Sequence, residues 1–334
     1  MHDTVLGINF ARISYFGHKW RRRFGIVGDN GYLCEKNIKR KKIMMNRYEA
    51  MKRHLAEIFR ETVKVVNERS YVCPDGERVS LGDDRVMREN TCFYSKPFSV
   101  EDVLCLDVPT EISVINKDSI EAGLALKHEG LNPVVLNFAS RRTAGGGVIN
   151  GSRAQEETLF RRTNLFRSLY QFMPYAEDFK VPRHRLQYPM DFNFGGIYTP
   201  DATVIRGCDY AFLSHPEQIS FVSVAAINRP RLIGNRIAPE MIGGTMNKMR
   251  TILRIGLRHG HDAIVLGAFG CGAFMNPPRH IAELFREVIY EDEFRNKYRK
   301  IVFAILEDHN SNGRVNPNGN LLPFIEVFSK AEAR

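Results

Sequence analysis

Two glycine-rich stretches hold the residues whose types and spacing suit chemistry. In the first, Gly145-Gly146-Gly147 is followed, after seven intervening residues, by Gln155-Glu156-Glu157. Adjacent glycines let a backbone approach a ligand closely and adopt φ > 0. A carboxylate held against such a loop can give and later take a proton. Acids are also common in the first turn of a helix, where they offset the positive end of its dipole, so Gln-Glu-Glu alone reads more readily as a helix start. In the second stretch, Gly267-Ala268-Phe269-Gly270-Cys271-Gly272-Ala273-Phe274, successive amides can form an anion-binding nest suited to a diphosphate. It lacks the Gly-Lys-Ser ending of a nucleotide-triphosphate loop, and no dinucleotide fingerprint fits the first strand–helix unit. Cys271 has no general base near it in sequence and reads as a small residue in a tight loop. Together, one loop with acids and one with a nest describe a site for a phosphorylated sugar, provided both leave the carboxyl ends of strands.

The surrounding pattern supplies those strands. Val134–Phe138 (VVLNF) and Ala263–Phe269 are nearly unbroken apolar runs, as expected of strands covered on both faces. Further strands are predicted at 111–116, 203–206, 219–226 and 301–306. Asp118, three residues before Glu121, predicts an N-cap for a helix that Gly130 ends. Helices are also predicted over about 155–170, 246–259, 277–290 (Pro277-Pro278 at its start) and 321–333. Before these, Met51, Leu55, Ile58, Phe59, Val63 and Val66 share one helical face. Arginines 161, 162 and 167 read as exposed-face residues, Asn276 as a helix-entry residue, and the long stretch 171–196 as a functional or mobile connector. The fold class is α/β: a mixed sheet sandwiched between helices, with an N-terminal helical extension. Residues 1–105 are expected to form a basic arm and accessory helical region, with a boundary near Lys96-Pro97, and 106–334 the catalytic domain.

The sequence resembles the bacterial-type poly(ADP-ribose) glycohydrolases, which have a macrodomain fold. LNFAS (136–140), GGG-x7-QEE (145–157), YTPDATVIR (198–206) and LGAFGCGAFMNPP (266–278) carry the resemblance. It spans roughly residues 110–310. The resemblance implies that Glu157 is the catalytic carboxylate and Glu156 a substrate-positioning one. Gln155 would help hold the loop and the ribose hydroxyls, and Gly145, Gly146 and Gly147 would line the ribose pocket. Gly270, Cys271, Gly272 and Ala273 would cradle the diphosphate, with Phe274 ordering the substrate beside it. Asn137 and Ser140 fall at the strand end where macrodomains contact ribose. Thr143-Ala144 departs from the Asn-Pro that the family often has before its glycines.

Cleaving a ribose–ribose bond passes through an oxocarbenium-like state and needs a proton donor for the leaving oxygen. Two carboxylates on opposite faces of the sugar, about 5–9.5 Å apart, are the usual arrangement. Neighbouring helical residues point about 100° apart, so one carboxylate, Glu157, acting as acid and then base is the simpler scheme. It calls for no metal and no cofactor. Two alternatives share the pocket: a hydrolase of single ADP-ribose units on protein or nucleic acid, and a non-catalytic ADP-ribose reader. An acid at position 157 argues for an enzyme.

The chain has 334 residues and a net charge of +10, of which residues 1–60 hold +9. The excess clusters at Lys19, Arg21, Arg22 and Arg23 and at Lys39–Lys42, so this arm is a candidate for polyanion contact. Ordinary hydrophobic content excludes wholesale disorder, and no apolar run is long enough to span a membrane. The N-terminal basic cluster follows the apolar stretch, the wrong order for a secretory signal. Six scattered cysteines without a CxxC pair, and a lone His259/His261 pair, argue against disulfide and zinc frameworks. The expectation is an intracellular, cytoplasmic or nuclear monomer acting on poly(ADP-ribose) or ADP-ribosylated macromolecules.

Overall fold

The computed structural model describes residues 31–100, 103–307 and 318–329, with side chains from residue 44 onward. The Lys19–Arg23 cluster, the side chains of Lys39–Lys42 and the last residues of the expected C-terminal helix lie outside this range. The chain divides into Met1–Tyr48 and a compact unit, Glu49–Arg334.

In chain order the elements are α1 (Gly31–Glu68), β1 (Ser70–Val72), β2 (Arg78–Ser80), α2 (Arg85–Glu89), β3 (Cys92–Tyr94), β4 (Glu111–Ile115), α3 (Ser119–His128) and β5 (Pro133–Phe138). There follow α4 (Gln155–Arg162), α5 (Leu165–Leu169), β6 (Gly196–Arg206), β7 (Phe212–Val224), β8 (Leu232–Ile233) and β9 (Arg236–Ile237). The chain continues with α6 (Pro239–Arg258), β10 (Ala263–Leu266), α7 (Pro278–Ile289), β11 (Lys300–Ala304) and α8 (Leu321–Ser329).

Seven strands form one sheet in the order β3-β6-β7-β5-β10-β11-β4. The run from β7 to β4 is parallel, and β6 pairs antiparallel with both β7 and β3. The start of β6 therefore lies at the same sheet end as the carboxyl ends of β5, β7 and β10. Alternation along β5 sends Val135 into one buried cluster and Val134 and Leu136 into the other. The first cluster takes Phe59, Ile120, Phe160 and Phe166; the second takes Ile252, Leu253, Phe285 and Phe324. Helices thus cover both faces, as the apolar strand runs require.

The predicted accessory layer is part of this unit. Leu55, Ile58, Phe59 and Val66 are buried, so the helical face read from the sequence packs into the sheet's own core, and the compact unit begins well before residue 105. The Asp118 cap forms as expected, its carboxylate accepting from the Ile120 and Glu121 amides at 3.0 and 3.2 Å.

Two expectations are corrected. The helix drawn over 155–170 breaks at Thr163, which is extended and bridges Val204. The Asn164 amide donates to the Thr203 carbonyl at 3.1 Å, and the Thr203 amide donates to Asn164 Oδ1 at 2.8 Å. Pairing with the sheet replaces the helical bonds that β-branched Thr163 would have continued. The arginines are not exposed: Arg161 and Arg162 are buried, as is Arg167. Arg161 Nε donates to the Leu55 carbonyl at 3.1 Å and a second nitrogen to the Ser152 carbonyl. Arg162 pairs with Asp118 at 2.7 Å, and Arg167 with Asp84.

His259 and His261 lie on a turn made by Gly260 (φ 72°). The His259 ring stacks on Tyr198 at 3.5 Å, and its Nε2 lies 2.7 Å from the Tyr94 hydroxyl. Burial, with His261 and Arg258 nearby, pushes His259 from 6.5 down to about 4. The folded state therefore resists protonation, so this group's contribution is full above pH 6.5 and is lost as pH falls toward 4. A His259→Phe variant is expected to show a shallower decline of Tm between those pH values than wild type in thermal melts. An unchanged slope would show that protonation of this ring does not couple to unfolding.

Candidate active site

The two glycine loops leave β5 and β10, which are adjacent parallel strands, and they touch at their bases. A Cβ on Gly267 would lie 2.8 Å from Phe138 Cζ, and the Phe138 and Phe269 rings are 6.2 Å apart. This is the crevice at strand carboxyl ends where α/β sheets hold ligands.

The helix α4 begins directly beneath the first loop, and its first three side chains hold the end of β5 and the loop itself. Gln155 Oε1 accepts from the Phe138 amide at 2.8 Å, while its Nε2 donates to the Leu136 carbonyl at 2.7 Å and to Ser119 Oγ at 3.2 Å. These bonds clamp the end of β5. Glu156 uses both oxygens on backbone: Oε2 accepts from the Ser140 amide at 2.7 Å and Oε1 from the Gly145 amide at 3.0 Å. Burial pushes its carboxyl well above the usual carboxylate range and the neighbouring Glu157 adds to this, against the pull of those two amides. Glu157 differs. Its Oε1 accepts from the Gly147 amide at 2.9 Å, but Oε2 is buried and has no partner among the described residues. A buried carboxylate oxygen left unpaired is costly unless something binds there.

Each glycine of the triplet has a local reason. A Cβ on Gly145 would meet the Phe160 ring at 2.6 Å. On Gly146 it would lie 2.6 Å from Glu157 Oε1 and 3.2 Å from Glu156 Oε2, and on Gly147 it would collide with the Ser152 hydroxyl. Both carboxylates therefore flank Gly146, because the loop folds over the helix start. Gly151, which the sequence reading passed over, presses against the Lys52 carbonyl of α1 with no room for a side chain.

Asn137 and Ser140 both stand at Glu156: the Ser140 amide donates to it, and a hydrogen bond from the Asn137 side chain works against the rise of its pKa. Asn137 is fully buried, its Nδ2 donating to Ser223 Oγ at 3.0 Å, and its Oδ1 has no partner among the described residues. Ser140 Oγ accepts from the Arg142 and Thr143 amides at 3.4 and 3.3 Å and turns its own loop.

In the second loop, Gly270 has φ 75°, and a Cβ there would lie 2.6 Å from Asn276 Nδ2. Asn276, read from the sequence as a helix-entry residue, has a further role that sequence reasoning missed. It is buried, and its Nδ2 donates to the Ile227 and Gly270 carbonyls at 2.9 and 3.1 Å, locking the loop. The amides of Gly272, Ala273 and Phe274 engage no backbone carbonyl among the described residues, and a Cβ on Gly272 would meet nothing within 4 Å. Cys271 is buried, and burial pushes its thiol far up, away from the thiolate a nucleophile needs.

Residues 59–207, which include the first loop and all of Gln155-Glu156-Glu157, match the microbial-type PARG (poly(ADP-ribose) glycohydrolase) catalytic domain. Solved PARG structures extend the likeness beyond that range to the second loop. The enzyme from Thermomonospora curvata is 27% identical, covers 83% of this chain and all of its own length, and superposes with a TM-score of 0.67. The same enzyme bound to the inhibitor ADP-HPD is 26% identical over 82% of this chain and 99% of its own, with a TM-score of 0.66. The Deinococcus radiodurans enzyme in complex with ADP-ribose is 25% identical over 76% of this chain and 100% of its own, with a TM-score of 0.56. No curated protein sequence is a significant match. The seven-stranded mixed sheet with helices on both faces is similar to the macrodomain-like fold of these structures. Among the described residues no helix is long and apolar enough to cross a membrane.

Proposed function

We propose that this protein hydrolyses the ribose–ribose O-glycosidic bonds of poly(ADP-ribose) and releases ADP-ribose. The observation that carries the reading is Glu157: one carboxylate oxygen fixed by the Gly147 amide, the other buried and unpartnered. The diphosphate of the terminal unit lies on the amides of Gly272, Ala273 and Phe274, with Gly270 and Cys271 shaping the turn beneath. Its ribose sits over Gly145–Gly147, with the anomeric carbon facing Glu157.

Glu157 gives its proton to the leaving 2′-oxygen as the bond from that oxygen to the anomeric carbon breaks. The sugar is left as an oxocarbenium-like species. Glu157, now a carboxylate, takes a proton from the water whose oxygen bonds to the anomeric carbon, and so recovers its starting state. One water is added across one glycosidic bond. Glu156 positions rather than reacts: with both oxygens bonded to the Ser140 and Gly145 amides, it fixes the shape of the loop that holds the ribose.

Purified protein incubated with an automodified ADP-ribosyl polymerase is expected to release free ADP-ribose, read by chromatography. Binding without release would make it a reader. Release only from singly modified substrates would make it a mono-ADP-ribosyl hydrolase.

Gly272 tests the nest separately. Its backbone lies outside the left-handed region and a Cβ there would meet nothing within 4 Å, so alanine costs the fold little. The added methyl occupies the space assigned to the diphosphate. Gly272→Ala is expected to raise the Kd for ADP-ribose about tenfold by calorimetry with Tm unchanged. An unaltered Kd would move the diphosphate elsewhere.

A further inference from the structure

The connector before β6 carries an exposed aromatic ring at the active-site end of the sheet. Phe192 is 47% exposed, yet the turn that bears it is fastened from three sides. The Asp191 carboxylate accepts from the Asn193 and Phe194 amides at 2.7 and 3.1 Å. From below, the buried Lys248 of α6 donates to the Asp191 and Phe194 carbonyls at 2.8 and 3.1 Å. From the side, Arg141 of the first glycine loop donates through Nη1 to the Met190 carbonyl at 3.0 Å, and the Met190 amide returns a bond to the Arg141 carbonyl at 2.9 Å. The Arg141 guanidinium lies 6.0 Å from the centre of the Phe192 ring. Holding a large apolar ring in water on so rigid a turn does nothing for the core, and it places an aromatic face near the Arg141 guanidinium, whose neighbour in the chain, Arg142, is exposed.

Its position follows from strand order. The nest leaves β10, the carboxylates stand over β5, and the connector enters β6, in the sheet order β6-β7-β5-β10. A substrate with its diphosphate on the nest and its anomeric carbon at Glu157 therefore has its leaving group directed toward the connector. In poly(ADP-ribose) the leaving oxygen belongs to a ribose that also carries adenine, and the next diphosphate is one atom beyond that ribose's 5′-carbon.

We infer that Phe192 and Arg141 form a platform for the unit on the leaving side of the scissile bond, adenine stacking on the Phe192 ring and Arg141 and Arg142 facing its diphosphate. This rests on the proposed function and adds to it a subsite that selects polymer over single ADP-ribose units. Stacking on aromatic rings is how proteins hold purine bases without reading sequence, and cations beside the ring hold the phosphates.

The test compares wild type, Phe192→Ala and Phe192→Trp, using long poly(ADP-ribose) for kinetics and free ADP-ribose for calorimetry. Phe192→Ala is expected to raise KM for polymer about tenfold, with a much smaller change in kcat and an unchanged Kd for ADP-ribose, and Phe192→Trp is expected to restore KM. The inference is overturned if polymer KM does not move, or if ADP-ribose binding weakens by the same factor. A wild-type protein that binds ADP-ribose but leaves polymer intact would instead overturn the hydrolase reading, so the two failures are distinguishable.

Discussion

Glu157→Gln is expected to lower kcat for poly(ADP-ribose) hydrolysis about 10³–10⁴-fold while leaving the Kd for ADP-ribose within about tenfold of wild type. Glutamine has nearly the same shape as glutamate. Its carbonyl oxygen can still accept from the Gly147 amide, as Glu157 Oε1 does at 2.9 Å, so the loop has no cause to move. Its amide group cannot shuttle a proton between the leaving oxygen and water. Calorimetry and single-turnover hydrolysis on the same preparation separate the two effects. Residual hydrolysis near the wild-type rate would take the acid–base role from Glu157. Lost binding alongside lost turnover would mean that the carboxylate holds the loop rather than reacts.

On the proposed scheme the same logic gives the two adjacent acids different roles. Glu156 is more deeply committed: two backbone amides point at its two oxygens. These amides favour the ionised form of Glu156, while burial and the neighbouring Glu157 push its pKa up. Glu157 has one amide on one oxygen and an unpartnered second oxygen. The proposed division of labour follows from how many loop amides each carboxylate satisfies.

Much of the scaffold was legible because its causes are local. VVLNF buries on both sheet faces because every side chain in the run but Asn137 is apolar, and Asp118 caps its helix because the amides it satisfies are two and three residues away. The glycine triplet was legible as a type, but its reasons are Phe160, Glu157 and Ser152, which reach it only after the loop folds back. The arginines misled because their partners are distant in sequence. Arg161 answers the Leu55 carbonyl and Arg167 answers Asp84, so a helix that looks polar along its sequence is buried by pairs that no periodicity reveals. Residues 49–105 were set apart for a similar reason. The apolar face of α1 was correctly drawn, but a helical stripe does not say which sheet covers it. Asn276 carried a usable signal, a polar residue between a glycine loop and Pro277-Pro278. Only the structure shows that its amide ties that loop to the Ile227 carbonyl.

Gly146→Ala is expected to reduce kcat about a hundredfold with a fall in Tm of roughly 2–6 °C. Gly146 has φ 54°, and placing a side chain in the left-handed region costs about 1–2 kcal/mol, which for a domain of this size corresponds to that small Tm change. The larger consequence is local. A Cβ would stand 2.6 Å from Glu157 Oε1 and 3.2 Å from Glu156 Oε2. Glu156 is held by two amides, whereas Glu157 is held by one, so Glu157 is the side chain that yields. A displacement of about 1 Å at a reacting group is enough to cost ~10²-fold in rate. Gly234 provides the control. It has φ 59° but nothing within 4 Å of its Cβ position, so Gly234→Ala pays the same torsional cost without touching a carboxylate. Its Tm should fall like that of Gly146→Ala while kcat stays at the wild-type value. If both variants keep full activity, the position of Glu157 is not what limits turnover; if both lose it, the effect is one of stability and the contact between Gly146 and Glu157 carries no catalytic weight.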